Sequence, residues 1–274
     1  MKRIIIILLA AILAVSCGKS DREIRYTADA KIELIEAEGF GTKIESHEFE
    51  NGEGVIIFDN PVTAIPDNAF YGCKALTSIT IPYSVTSIGY RAFRNCRNLA
   101  SITIPNNVTS IEEDAFRNCK SLTSITIPDS VTSIGKDVFK GCYSLNAFYG
   151  KFTSADNRCL IVDGVLILYA KGCDLTQYTI PDGVTSIGRY AFSNCKSLTS
   201  VTIPNSVTKI ESYAFDECQS LKSVYCKPTT PPTGGWQMLP LDCNITIYVP
   251  EESVEAYEEA DWRPYAHCIL GYSF

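Results

Sequence analysis

The chain has 274 residues, 46% of them hydrophobic and 20% charged, an ordinary globular composition that excludes a disordered chain and is long enough for one large domain or two small ones. Its formal net charge is −7, and loss of Lys2 and Arg3, the only charges before Cys17, takes it to −9. Nucleic acid and anionic membrane surfaces are therefore excluded as partners, because both select clustered cations.

In chain order, residues 1–16 read as a secretory leader: Lys2 and Arg3 form a positive start, and Ile4 to Leu13 is an uncharged apolar run, too short to span a bilayer, which takes ~20 residues. Ala14-Val15-Ser16-Cys17 resembles the box at which bacterial lipoproteins are cleaved and acylated, which implies a lipid on Cys17. Several acyl chains on one residue suffice for stable anchoring. Residues 17–23 then form a polar tether, and residues 24–54 a cap over the amino-terminal end of the folded domain.

An internal repeat fixes the architecture. Ile79-Thr80-Ile81-Pro82, Ile102-Thr103-Ile104-Pro105 and Ile125-Thr126-Ile127-Pro128 recur at intervals of 23 residues, and Val201-Thr202-Ile203-Pro204 returns to the phrase. Between Cys119 and Cys142 the apolar positions are Leu122, Ile125, Ile127, Val131, Ile134 and Phe139, the L-x-x-L-x-L spacing of a leucine-rich repeat. Alternation puts Ile125 and Ile127 on one strand face and Ser124 and Thr126 on the other, and Pro128, lacking an N–H, ends the strand. Equivalent strand positions at Ile56, Ile79, Ile102, Ile125, Phe148, Tyr178, Val201 and Val224 predict an α+β, mostly β solenoid, a right-handed superhelix of about eight coils over residues 55–226 with a cap at each end. Phe70, Phe93, Phe116, Phe139, Phe192 and Phe215 share one repeat position and are predicted to stack as a continuous spine.

The step from Phe148 to Tyr178 is longer than the others. Residues 150–174 hold Cys159 to Val162, then Asp163-Gly164, then Val165 to Tyr169, and an Asp-Gly pair between two β-branched runs predicts a hairpin, here expected to protrude. Leu175, Tyr178 and Ile180 restore the register. Residues 227–274 are predicted to form the closing cap: a Pro- and Gly-rich loop to Pro240, a strand at Ile245 to Val249, and a short helix from Pro250 to Tyr265 whose Val254, Tyr257 and Trp262 close the last coil.

Ser84-Val85-Thr86-Ser87-Ile88-Gly89 with Ala92, Phe93 and Cys96 resembles the repeat of BspA-like bacterial surface proteins, over roughly residues 55 to 226. The resemblance implies a surface or outer-membrane protein of a host-associated bacterium, in a family with members that bind extracellular-matrix or plasma proteins such as fibronectin and fibrinogen. With the leader, it implies an exported, outer-membrane-anchored lipoprotein that faces the cell surface rather than the periplasm, with a host protein as partner, a glycan as the alternative, and the membrane touched only through the lipid. A structural envelope scaffold is a third reading.

Six of the twelve cysteines, Cys73, Cys96, Cys119, Cys142, Cys195 and Cys218, occupy one repeat position and read as a structural ladder of small, weakly donating side chains. With no C-x-x-C pair and only His47 and His267, the usual zinc spacings are missing, so no metal and no cofactor is expected. Of the cysteines off the ladder (Cys159, Cys173, Cys226, Cys243 and Cys268), Cys226 with Cys243 is the pair to examine for a disulfide. His47-Glu48-Phe49-Glu50-Asn51 lacks the second histidine of a zinc protease motif, and no P-loop or nucleophile elbow is present, so no catalytic residue is assigned. Asp129-Ser130-Val131 is sequon-like for O-glycosylation, or a plain repeat turn. The candidate binding residues are those predicted to face outward from the concave sheet: Ser101, Thr103, Ser124, Thr126, Ser200 and Thr202, with Tyr149 and Tyr225 breaking the row of hydroxyls, and the hairpin beside them.

Overall fold

A computed structural model describes residues 20–34, 37–172, 174–241 and 245–274. The predicted leader, Cys17 and most of the tether lie outside the described residues, as do Cys173 and Cys243. The described chain is a mostly-β solenoid of about nine turns, in which most turns contribute a strand to one ladder and a two-residue strand to a second.

The first ladder runs through Leu76–Thr80 and Ser101–Thr103, then Ser124–Ile127 and Ala147–Gly150, then Gln177–Thr179, Ser200–Ile203, Ser223–Cys226 and Thr246–Pro250, in three hydrogen-bonded stretches. Its pairing is parallel and in the register of the repeat: Ile79 opposite Ile102, Ile125 opposite Phe148, Tyr178 opposite Val201, and Val224 opposite Ile247. The second ladder comprises Ala64–Ile65, Ser87–Ile88, Ser110–Ile111 and Ser133–Ile134, and resumes at Val165–Tyr169, Ser186–Ile187, Lys209–Ile210 and Thr233–Gly234. The motif's threonines join its coils: Thr86, Thr109 and Thr132 each donate a hydroxyl to the carbonyl of the threonine one coil earlier. Ser130 is spent in the same way, donating to the Val108 carbonyl at 2.6 Å.

The phenylalanine loop forms a third line of coil-to-coil bonds. The N–H groups of Asn68, Phe70 and Gly72 donate to the carbonyls of Tyr90, Ala92 and Arg94, and the pattern repeats from Arg91, Phe93 and Asn95, and from Asp114, Phe116 and Asn118. It needs a left-handed backbone two residues before and two after each phenylalanine. The pairs Asn68/Gly72, Arg91/Asn95, Asp114/Asn118 and Asp137/Gly141 all have positive φ, which explains the Asn or Gly just before every ladder cysteine but Cys218, which follows Glu217, since these residues adopt that region at least cost. The cysteines use the remaining acceptors: Cys96, Cys119, Cys142 and Cys218 donate to the carbonyls of Phe70, Phe93, Phe116 and Phe192 at 2.9–3.2 Å. Burial holds the thiols of Cys96 and Cys119 well above their usual range and that of Cys73 up to about 11, so these three are inert packing groups, whereas the Cys195 side chain beside Cys218 lowers that thiol. Cys226, pushed up to about 12 by burial, lies 3.3 Å from the Tyr257 hydroxyl.

Four expectations need correction. The strand that carries Ile56 (Glu53–Phe58) does not stack on Ile79: Glu23–Ala28 is inserted antiparallel between them, and Ile44–Glu50 lies antiparallel on the outside. Reversing strand direction ends a parallel stack with a meander instead of a bare coil edge. The spine is not continuous. Phe70, Phe93, Phe116 and Phe139 stack with centroids 5.1–5.5 Å apart and planes within 5°, while Phe192 and Phe215 form a second stack headed by Tyr169. Nor does the hairpin protrude. Leu160 and Leu168 pack into the first core cluster, Cys159, Leu166 and Tyr169 into the second, and Val165–Leu166 pair parallel with Ser186–Ile187. A hairpin apolar on both faces has no solvent side, so it is built into the stack as a joint. Finally, Leu175 stays exposed although Tyr178 and Ile180 are buried, because the chain enters that coil from Gly172, held by the Leu145 carbonyl.

At the far end, Val254–Glu258 is a single α-turn flanked by 3-10 segments, the second holding Pro264, and Tyr257 and Trp262 close the last coil fully buried. A further strand, Ile269–Tyr272, then pairs parallel with Thr246–Pro250.

This packing sets two expected outcomes. Phe116→Ala removes a ring stacked on both sides, and urea denaturation should show a loss of about 3–5 kcal/mol; a loss below about 1 kcal/mol would show that the spine is not the core. In the amino-terminal meander, Tyr26 Oη lies 2.7 Å from His47 Nε2, and burial, with the Lys31 cation, pushes the imidazole below its ordinary value of 6.5. Folding therefore favours the neutral ring. Its contribution to stability is complete above pH 6.5 and declines as pH falls towards the folded-state value. Hydrogen exchange in residues 23–58 should accelerate on acidification through this range, relative to the central coils, and His47→Gln should abolish the difference.

Candidate functional site

Two rows of side chains leave the solenoid outward, and each is set by the repeat. The first is the solvent side of the first ladder, where strand alternation exposes every second residue. Ser101, Thr103, Thr126 and Tyr149 are exposed, and Ser124, Ser200, Thr202 and Tyr225 are half-buried. Register places Thr103 beside Thr80, Tyr149 beside Thr126, and Thr202 between Thr179 and Tyr225. The insertion separates Tyr149 from Tyr225, so the structure does not bring these two together. Instead Tyr225 stacks on Tyr248, with centroids 4.7 Å apart and planes 12° from parallel, and Tyr272 stands edge-on to both at 5.5 and 5.4 Å. Phe274 lies 5.0 Å from Tyr272. Tyr272 and Phe274 are 42% and 50% exposed, so the hydroxyl row ends in an aromatic platform open to solvent. Beside it lies a depression of about 490 Å³ bordered by Asn205, Lys227, Glu251 and Glu252.

Tyr248, Tyr272 and Phe274 are site residues that the sequence pattern did not single out. Tyr248 was within reach of sequence reasoning, since it lies one repeat length beyond Tyr225; treating its strand as a lid instead of a ninth rung hid it. Tyr272 and Phe274 carry no periodic signal, because a non-repetitive segment returns them to the sheet.

The second row grows from the left-handed positions of the phenylalanine loop. Asp114, only 3% exposed, is paired with Arg94, with Arg117 at 3.1 Å and with Arg91 at 3.6 Å, and Asp137 with Arg117 and Lys140. The row continues as a cation–aromatic stack: Lys140 Nζ sits 3.5 Å from the Tyr190 centroid, Arg189 flanks Tyr190 and Tyr213, and Tyr213 meets Trp236, which is 68% exposed. Burial lowers the Lys140 ammonium despite Asp137. Among the described residues no group of three His, Cys, Asp or Glu side chains could hold a metal ion, and no helix is long and apolar enough to cross a membrane. Both rows offer contact surface, and neither aligns a nucleophile with a base.

The repeat unit, with its paired ladders, phenylalanine stack and cysteine rung, is matched by the family model for the BspA type leucine-rich repeat region, in six copies over residues 42–159 and 168–232. The chain belongs to that family. Of solved structures, it resembles a leucine-rich cell surface protein from Faecalibacterium prausnitzii, with 28% identity and a TM-score of 0.56, covering 78% of this chain and 64% of that one. The chain therefore spans less than two thirds of that relative's length. A leucine-rich-repeat protein from Treponema pallidum shares 29% identity over 62% of this chain and 69% of that one, at a TM-score of 0.36; one from Bacteroides ovatus shares 22% over 83% and 73%, at 0.32. None of the curated proteins matches the chain. BspA-type repeats are scaffolds that present surfaces, and the gap between the two matched regions falls on the hairpin joint.

Asp114 anchors the second row. Asp114→Asn keeps a residue suited to positive φ while leaving Arg91, Arg94 and Arg117 without their buried counter-charge. Chemical denaturation should show a loss of about 2 kcal/mol, below the ~3–5 expected for a fully buried pair because the three guanidiniums reach solvent. An unchanged midpoint would make the cluster ornamental.

Proposed function

We infer that the protein is an exported adhesion or protein-binding module, held at the outer membrane by a lipid on Cys17 and displayed at the cell surface, which engages a host matrix or plasma protein through the outward side of its first ladder. The aromatic platform of Tyr225, Tyr248, Tyr272 and Phe274 is the observation that carries this reading. Solvent-accessible aromatic rings in contact with one another give large contact area at small entropic cost, and tyrosine is a residue type in which binding energy concentrates, whereas the Ser and Thr row supplies hydrogen bonds without an anchor. The likeness to a cell surface protein of F. prausnitzii supports display outside the cell.

The same platform supports a second reading, a glycan- or polymer-binding lipoprotein, since the solvent-exposed Tyr272 and Phe274 rings offer apolar surface against which a sugar can pack and the hydroxyl rungs repeat as a polymer does. Protease treatment of intact cells and binding of recombinant protein to immobilised fibronectin and fibrinogen test the first. We expect cleavage on cells and saturable binding that Tyr225→Ala and Tyr272→Ala each weaken about tenfold, or ~1.4 kcal/mol. Absence of both removes it, and a glycan-array signal that depends on the same tyrosines selects the second reading.

A further inference from the structure

The two halves of the solenoid do not close against each other on the second-ladder side. Ser133–Ile134 pairs with Ser110–Ile111 on one edge, and among the described residues no strand pairs with its other edge, where the hairpin takes over. The phenylalanine loop is interrupted at the same place. In three preceding coils the N–H groups two before, at, and two after the phenylalanine reach the next coil's carbonyls, but among the described residues Asp137, Phe139 and Gly141 make no such bond. Two of these residues, Asp137 and Phe139, line a cavity of about 290 Å³ at the junction.

Its floor is apolar: Ile134, Val138, Val165, Ile167 and Leu168. Its rim carries Lys136, Lys140 and Arg189, with Asp137 and Glu211. The two carboxylates are engaged, Asp137 by Arg117 and Lys140 and Glu211 by Lys209 at 3.0 Å. Lys136 and Arg189 have no ion-pair partner among the described residues, and Arg189 is oriented by the rings of Tyr190 and Tyr213. An apolar floor beneath surplus cations and unpaired backbone N–H groups matches one chemistry, an apolar body ending in an anion. The volume is near the lower end of ligand pockets, ~300–1,000 Å³.

We propose that this junction cavity is a binding site for a small amphiphilic carboxylate, a medium-chain or aromatic organic acid, with its hydrocarbon part on Ile134, Ile167 and Leu168 and its carboxylate held by Lys136, Arg189 and the free N–H groups. The site is separate from the aromatic platform and does not rest on the adhesion reading.

The probe is octanoate, titrated calorimetrically into the full-length protein, with 1-octanol as its uncharged counterpart. Saturable one-to-one binding of octanoate is expected, with 1-octanol and the Lys136→Glu/Arg189→Glu variant each at least about tenfold weaker. Methyl-resolved NMR of the unaltered protein gives an independent readout, because octanoate should shift the methyls of Ile134, Val165, Ile167 and Leu168 and leave those of Ile79 and Ile203 in place. No saturable heat, equal binding of octanol, or shifts elsewhere would overturn the proposal.

Discussion

Every coil of this protein is incomplete alone, and contact between successive coils is the constraint on which the rest depends. A single turn of 23 residues leaves a phenylalanine, five aliphatic side chains and three lines of backbone donors and acceptors uncovered. Stacking covers them together: rings at 5.1–5.5 Å, strands in parallel register, and N–H groups of one loop on the carbonyls of the next. Because every rung repeats the same bonds, each residue type in the motif has a local reason. Threonine hydroxyls tie the second ladder, cysteine thiols reach the phenylalanine carbonyls, and asparagine or glycine takes the left-handed turn. Stability of such a stack is a sum over neighbours, so its ends and interruptions are its distinctive places.

Those places carry the functional content. The regular coils present serine and threonine, which suit an exposed strand and distinguish no partner. Departures from the repeat are what concentrate chemistry: at the closing end, tyrosines replace threonine in the outward row and a returning strand adds Tyr272 and Phe274; at the hairpin, two cores meet across an opening rimmed by cations. On a protein of net charge −7, Arg91, Arg94, Arg117 and Lys140 are gathered in one line around Asp114 and Asp137, which sit at left-handed positions.

The hairpin shows how an insertion can be absorbed by a solenoid. It carries apolar residues on both faces, so each face finishes one of the two cores, and Tyr169 takes the place of a phenylalanine at the head of the second stack. Its tyrosine N–H donates to the carbonyl of Ala191 as a regular coil would. What it does not restore is the loop bonding of the coil before it, and that mismatch leaves the cavity.

The amino-acid sequence by itself determined the repeat length, the strand register, most of the buried set from Leu76 to Val224, Leu175 being the exception, and the class of fold, because a period of 23 residues with fixed apolar spacing admits only coils that stack on themselves. It also marked Tyr225 as an exception in the outward row. Only the tertiary structure decided that the strand of Ile56 is turned away from the stack by Glu23–Ala28, that the hairpin lies inside, and that Tyr248, Tyr272 and Phe274 assemble beside Tyr225. These arrangements join segments that share no period, and their partners are set by which surfaces remain uncovered once the repeats have closed, a property of the assembled solid and not of any stretch of chain.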